Sequence, residues 1–311
     1  MRRRSTILAV LLALAVVPYF IDLGGSAIWD ANEAFYVETP RQMMVRGDYI
    51  TPSFNDEPRI NKPVLSYWIV AAFYHAFGVS VGVERLTIAL GAMVIIACGA
   101  VLGRIAANQL GPAGRGAALL AAVALASLPR LLMLGRRIFI DIWITAFMSL
   151  TLVFFALSER FPERRRLFLV LMYVAAGLGM LTKGPVAIVL PGMAFLLYLL
   201  VQRELRRAGE MMLPLGALIV LLIVVPWYAA LYHAHGWEYI RSFIVSENLE
   251  HFVHSHPIDM PPQDKDVEGL LGGPQVIFEA LMPAPGRYRA WVQFRYHDKV
   301  HTFPFTFEVT R

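Results

Sequence analysis

The sequence predicts a mainly α, polytopic membrane protein that ends in a small antiparallel β unit. Three observations carry that expectation. Of 311 residues, 57% are hydrophobic and only 16% charged, where a soluble domain averages about a quarter charged. The apolar residues gather into long runs, and about 20 such residues cross a bilayer as a helix whose backbone groups are satisfied internally. Beyond residue 275 the runs give way to a period of two, the spacing of half-buried strands. The same shortage of charge excludes disorder and an ordinary water-soluble globule.

The apolar runs cover residues 6–23, 86–103, 116–134, 138–157, 167–181, 186–201 and 211–230, which makes about seven transmembrane helices. Several are short or contain proline (Pro129, Pro191, Pro214, Pro226). The first follows Arg2, Arg3 and Arg4 as a signal peptide would, but no small-x-small cleavage site precedes Asp22. It therefore reads as an uncleaved first span. With a cytoplasmic N-terminus, the inside segments are 1–5, 104–115, 158–166 and 202–210. They hold Arg2, Arg3, Arg4, Arg104, Arg115, Arg160, Arg164, Arg165, Arg166, Arg203, Arg206 and Arg207. The outside turns hold only Arg130, Arg136, Arg137 and Lys183, as the positive-inside rule asks. The net charge of +5 is thus a topology signal, and no nucleic-acid partner is expected. The single cysteine, Cys98, excludes an intramolecular disulfide and a Cys-based metal site.

The long outer loop, 24–82, is not a polar linker. Trp29–Glu38 starts as an amphipathic helix with Asp30 and Glu33 on one face, and Pro40 and Arg46-Gly47-Asp48 are expected to break it. A second unit begins at Asn61-Lys62-Pro63. Trp29, Tyr67, Trp68 and Tyr74 suit two short interfacial helices on the outer surface. Ionised groups near a membrane face a cavity or a partner. This topology collects Asp30, Glu33, Lys62, Glu84, Arg85, Arg136, Arg137, Asp141, Lys183, Glu247 and His251 on one side. Carboxylates beside cations at the bilayer edge suit a substrate with a lipid tail, a phosphate and a hydroxyl or amine acceptor. A carboxylate takes the acceptor's proton, and cations stabilise charge on the departing phosphate.

The loop WDANEAFYVETPRQMMVRGDYITPSFNDEPRINKPVLSYWIVAAFYHAFGVSVGVERL, then LTKGPVAIVLP, PWY and SENLEHF in the same order, resembles the GT-C membrane glycosyltransferases. Within them it is similar to the protein O-mannosyltransferase-like and aminoarabinose (lipid A) transferase group, a family 39-like set, over roughly residues 5–255. The resemblance implies a polyprenyl-phosphate sugar donor and a lipid, glycan or protein acceptor. It implies transfer on the outer face of the bacterial inner membrane, with inversion at the sugar. It gives the first-loop acids Asp30 and Glu33 a part in acceptor activation, makes Asp141 the second outer-face acid, sets Lys62 near the donor phosphate and offers Lys183 as a further phosphate contact. Asp141 is added to the catalytic candidates and Arg137, a cation on the same face, to the phosphate contacts. No cofactor is certain; a divalent metal is left open and its ligands unknown.

The sequence departs from the family in three places. The usual Asp-Glu pair is Asn32-Glu33, and the usual Glu before Lys-Pro is Asn61. After about residue 255 the chain enters a linker (256–274) and an extracytoplasmic β unit (275–311) instead of further membrane helices. Within that unit Pro285–Phe294 resembles the last strands of immunoglobulin-like sandwiches. The join is either a natural fusion or a junction of two gene fragments. A second reading is therefore a non-catalytic anchor presenting a β module. A transporter fits less well, because the acids sit at helix ends rather than mid-membrane.

Simpler readings stand beside each site residue. Asp30 and Glu33 could cap a surface helix, Lys62 could snorkel, Asp141 could pair with Arg136 or Arg137, and Lys183-Gly184-Pro185 could be a tight turn. His251, His254 and His256 have a loose metal-like spacing that a solvated loop also explains.

Overall fold

The computed structural model describes residues 2–25, 28, 31–54, 57–59, 62–107, 116–237, 241, 286–296 and 299–309. Residues 1–256 form one compact unit and 257–311 another. The first unit begins with α1 (Arg2–Val16) and a 3-10 turn, Val17–Tyr19. The outer loop holds α2 (Ala31–Arg46), the two-residue strands β1 (Ser53–Phe54) and β2 (Glu57–Pro58), and α3 (Leu65–Phe77). There follow α4 (Val81–Ala106), α5 (Ala117–Ala126), α6 (Pro129–Arg136), α7 (Asp141–Arg160), α8 (Arg165–Lys183), α9 (Val186–Val201) and α10 (Leu213–His235).

Among the described residues, four helices are long and apolar enough to cross a membrane: α4, α7, α8 with the turn before it, and α10. A fifth crossing arises if α5 and α6, which meet at 61°, count as one broken span. The other apolar helices, Thr6–Tyr19, α3 and α9, are shorter. Two expectations about continuity change. The run 116–134 is not one helix, because Leu128 is extended (φ −65°, ψ 118°) ahead of Pro129. A proline ring clashes with a helical residue before it. Conversely, Pro40 does not end α2, which runs on to Arg46. Thr39, Pro40 and Met43 are buried, and Met43 packs with Val64 and Tyr67. That packing holds the helix through a residue that costs about 3 kcal/mol in a free one.

Packing runs from α5 to α4, α4 to α7, α7 to α8, and α8 to α10 and α9. Met43, Val64 and Tyr67 share a core with Leu181, Val224, Trp227 and Leu231, so α2 and α3 are seated on one end of α8 and α10. The Trp227 indole N–H donates to the Ile50 carbonyl at 3.0 Å, and that of Trp68 to the Tyr49 carbonyl at 2.7 Å. Asp48 closes the turn between α2 and α3 by accepting from the Ile50 and Thr51 N–H groups at 2.8 and 3.1 Å. Its partial burial would raise its pKa, but those bonds outweigh it and hold the carboxyl below its usual range.

Tyr19 is fully buried among Ala89, Ala92, Ile96, Ala122 and Ala126. Its hydroxyl donates to the Ala126 carbonyl at 3.2 Å, where α5 runs out of helical partners. Gly135 lies against the same ring; a Cβ there would stand 2.8 Å from it.

The helix directions sort the charges. α4 and α7 begin, and α8 ends, at the end where α2 and α3 dock. The basic segments around 104, 158–166 and 202–210 fall at the other end. There Glu159 binds Arg165 at 3.3 Å and Arg207 at 2.7 Å, and Arg165 reaches Glu210 at 3.2 Å.

In the second unit, β3 (Gly286–Tyr296) pairs antiparallel with β4 (Lys299–Val309). The register sets Tyr288 opposite Phe307, Ala290 opposite Phe305 and Val292 opposite Phe303, matching the alternation of the sequence. The sequence alternation also offers a strand over 276–280 and a turn at 297–299; the strand, residues 297–298 and the linker 256–274 lie outside the described residues, and Lys299 begins β4.

Two measurements check this arrangement. Single cysteines at positions 62 and 183, in a chain whose Cys98 is buried, should react with an impermeant maleimide from the same side of the membrane. Cysteines at 166 and 206 should react from the opposite side; labelling 62 and 183 from different sides would break the fold described. Tyr19→Ala should lower thermal stability by about 3–5 kcal/mol and Tyr19→Phe by only about 1 kcal/mol, read from unfolding in detergent. Equal effects would remove Tyr19 from the core.

Candidate active site

The end of the bundle under α2 and α3 carries the candidate chemistry. Asp141 opens α7 and Lys183 closes α8, and these two helices pack side by side. A carboxylate at a helix N-terminus and an ammonium at a C-terminus both suit the helix dipole. Lys183 Nζ lies 2.7 Å from Asp141 Oδ1, with side chains 35% and 30% exposed. Gly184 (φ +96°) ends α8 in a conformation that suits glycine, and its N–H reaches the Met180 carbonyl at 2.9 Å. The turn reading of Lys-Gly-Pro is therefore realised, and Lys183 is ion-paired as well. Asp141 pairs with Lys183, not with Arg136 or Arg137. Arg136 instead donates to the Ile21 carbonyl at 3.1 Å.

Glu33 is only 3% exposed. One oxygen accepts the backbone N–H of Ile138 at 3.2 Å, and the other lies 3.9 Å from Arg85 Nη2. Arg85, equally buried, also donates to the Leu23 carbonyl at 3.0 Å. Glu33 and Arg85 thus lock the start of α2 to the α6–α7 junction, which carries Arg137 and Asp141. Arg137 is the residue that closes α6. Glu84, beside Arg85, is fully buried and accepts from the Tyr74 hydroxyl at 2.8 Å. Burial, reinforced by the Glu84 carboxylate, pushes the Tyr74 hydroxyl well above its ordinary pKa, so it remains a donor. Burial does the same to Tyr67, whose hydroxyl has no hydrogen-bond partner among the described residues.

Lys62 stands half-buried on the segment entering α3. It is two residues from Val64, just as Lys183 is two from Leu181, and Val64 and Leu181 share a core cluster. Lys62, Lys183, Asp141 and Glu33 therefore belong to one end of the bundle. Asp30, Asn61 and the histidines 251, 254 and 256 lie outside the described residues. Among those described, no group of three or more His, Cys, Asp or Glu side chains could hold a metal.

One feature went unread in the sequence: Arg59, whose guanidinium stacks 3.6 Å from the centre of the Phe35 ring, which in turn packs edge-on to Phe54. No spacing links Phe35, Phe54 and Arg59. Only the β1–β2 turn brings them together.

The chain matches known proteins across this unit. Residues 61–229 match the model of dolichyl-phosphate-mannose-protein mannosyltransferase, and residues 239–311 match a domain of unknown function. An uncharacterized protein of Aquifex aeolicus is 31% identical over 248 residues, covering 78% of this chain and 47% of its own. An undecaprenyl phosphate-alpha-4-amino-4-deoxy-L-arabinose arabinosyl transferase of Pseudomonas aeruginosa is 31% identical over 267 residues, covering 83% of this chain and 47% of its own. The crystal structure of ArnT from Cupriavidus metallidurans bound to undecaprenyl phosphate is similar with a TM-score of 0.72 at 26% identity, covering 79% of this chain and 45% of that one. Its apo form gives 0.69. The chain thus spans about half the length of the curated relatives it matches. The family model covers more than half of the 311 residues, and the chain belongs to that family of membrane glycosyltransferases, with the GT-C fold of the aminoarabinose transferase group.

Proposed function

We propose that the chain transfers a sugar from a polyprenyl-phosphate donor to a lipid acceptor at the outer face of a bacterial inner membrane. The observation that carries the reading is the Asp141–Lys183 pair, partly accessible at the end that also holds Lys62. The bundle's likeness to a structure bound to undecaprenyl phosphate supports the donor class. The acceptor rests on the arabinosyl transferase relatives; a protein acceptor is supported only by the description of the matching family model, and a glycan acceptor by the sequence resemblance alone.

The donor's tail stays in hydrocarbon while its phosphate meets Lys62 and Lys183, with Arg137 near the α6–α7 junction. The phosphate competes with Asp141 for the Lys183 ammonium, which releases the carboxylate. The acceptor oxygen attacks the anomeric carbon, and the bond from that carbon to the phosphate oxygen breaks. The phosphate keeps the electron pair, and the acceptor's proton passes to a carboxylate. In-line attack inverts the sugar. Asp141 is the acid this geometry favours, with Asp30 the alternative. Glu33, buried and engaged through both oxygens, holds the α6–α7 junction and does not take the proton. The Glu33–Arg85 pair thus plays a positioning part.

A second reading has one observation behind it: residues 239–311 match a separate domain model. That favours a membrane anchor presenting the 257–311 unit. The domain model over 239–311 crosses the expected junction near 255, which supports a recurring fusion rather than two joined fragments. Turnover of labelled polyprenyl-phosphate sugar by the purified chain separates the two readings; no turnover with any lipid acceptor would favour the anchor.

Asp141→Asn should slow transfer at least about 100-fold, and Lys183→Met by a similar factor, with the folded protein retained. Full activity in both would remove the pair from the chemistry and leave a structural bridge between α7 and α8. Glu33→Gln keeps an acceptor for the Ile138 N–H but removes the carboxylate charge from beside Arg85. Breaking such a buried pair costs about 3–5 kcal/mol. Its thermal midpoint should fall together with its activity, whereas Asp141→Asn should lose activity alone. A Glu33→Gln protein of native stability and no activity would return Glu33 to a catalytic role.

A further inference from the structure

At the end of the bundle away from the candidate site, α4, α5 and α7 border a groove of about 580 Å³. Val101 and Ile105 of α4, Ala118 of α5 and Leu157 of α7 form its wall, and Arg104 and Arg160 stand at its edge. Both arginines are exposed, and the Arg160 guanidinium lies 5.3 Å from the centre of the Phe161 ring. No carboxylate lines the groove among the described residues. At the level of the groove α4 and α5 are in close contact: a Cβ at Gly103 would stand 2.7 Å from the Ala121 methyl and 3.0 Å from the Ala117 carbonyl oxygen. The groove is therefore a recess beside a tight helix pair, not a loose seam through the bundle.

We propose that this groove binds one anionic phospholipid of the leaflet opposite the active site. The headgroup phosphate lies between Arg104 and Arg160, and an acyl chain runs along Val101, Ile105, Ala118 and Leu157. The pairing of chemistries carries the assignment. A free anion would meet the arginines but leave the apolar wall bare, and a zwitterionic lipid would cover the wall but bring its own cation to the arginines. Basic recesses between membrane helices take anionic headgroups for the same reason. Nothing in the transfer reaction needs this site; a lipid there bridges α4, α5 and α7.

The test is lipid retention by the purified full-length chain in native mass spectrometry, with phosphatidylglycerol and phosphatidylcholine of identical acyl chains. The wild type should retain one phosphatidylglycerol in preference to phosphatidylcholine. An arginine near an anionic headgroup strengthens binding about fivefold, so Arg104→Gln with Arg160→Gln should weaken retention on the order of 20-fold. Ala118→Trp, which fills the groove and keeps both charges, should also abolish it. Arg164→Gln with Arg166→Gln removes the same charge from the same end and should leave retention unchanged. Equal loss in that control would mean diffuse surface attraction and would overturn the proposal. So would absent lipid preference, retention in the Ala118→Trp protein, or displacement by inorganic phosphate at the concentration at which phosphatidylglycerol binds.

Discussion

Arg85 and Glu33 are both held away from water at the bundle end, and the geometry of the site hangs on how that is tolerated. Burying an ion costs several kcal/mol unless its partners restore what water supplied. Here each ion also satisfies a backbone group outside the helices. Glu33 takes the Ile138 N–H in the gap between α6 and α7, and Arg85 gives to the Leu23 carbonyl in the chain leaving α1. Neither backbone group has a helical partner, and an unpaired one in an apolar setting is itself costly. One charge pair, carried by α2 and α4, thus ties two chain segments that lie outside the helices. Asp141 begins α7 three residues after Ile138, so its position follows from that tie.

Much of the fold is legible because the bilayer leaves few choices. A run of apolar residues that long has to be helical, and the arginine-rich gaps mark one end of the bundle. The two misreadings both concern proline. Its local rule forbids a helical residue before it, and at Leu128 the rule wins because little else holds that residue: it is exposed. At Pro40 the rule loses because Thr39, Pro40 and Met43 are buried against α3 and its neighbours. Whether a proline breaks a helix is set by tertiary burial, which a single sequence does not display.

The candidate site is legible in composition and illegible in partnership. The topology alone puts Asp141 and Lys183 on one side, and both sit at helix ends where their charges are favoured. It does not say that they pair with each other, since Arg136 and Arg137 are nearer in sequence to Asp141. Arg136 is drawn off by the Ile21 carbonyl, a partner 115 residues away. Glu33 looked like an acid on an open amphipathic face because a helix wheel shows which residues share a side and not what covers it. The cover, Ile138 and Arg85, comes from two other elements. Arg59 was invisible for the same reason: its stack on Phe35 exists only once the chain has turned at β1–β2.

The exposure of the Asp141–Lys183 pair decides what it can do. In bulk water two unit charges 4 Å apart attract by about 1 kcal/mol, and near a protein surface by about 4 kcal/mol. A fully solvated pair would hold a lipid phosphate weakly, and a fully buried one, like Arg85 and Glu33, would admit nothing. At 35% and 30% exposure the pair lies between these limits, which is what the proposed exchange of Asp141 for a lipid phosphate requires. The two charge pairs at this end therefore differ by depth: the deep pair ties the backbone, and the shallow pair is the one that the proposed reaction gives to the substrate.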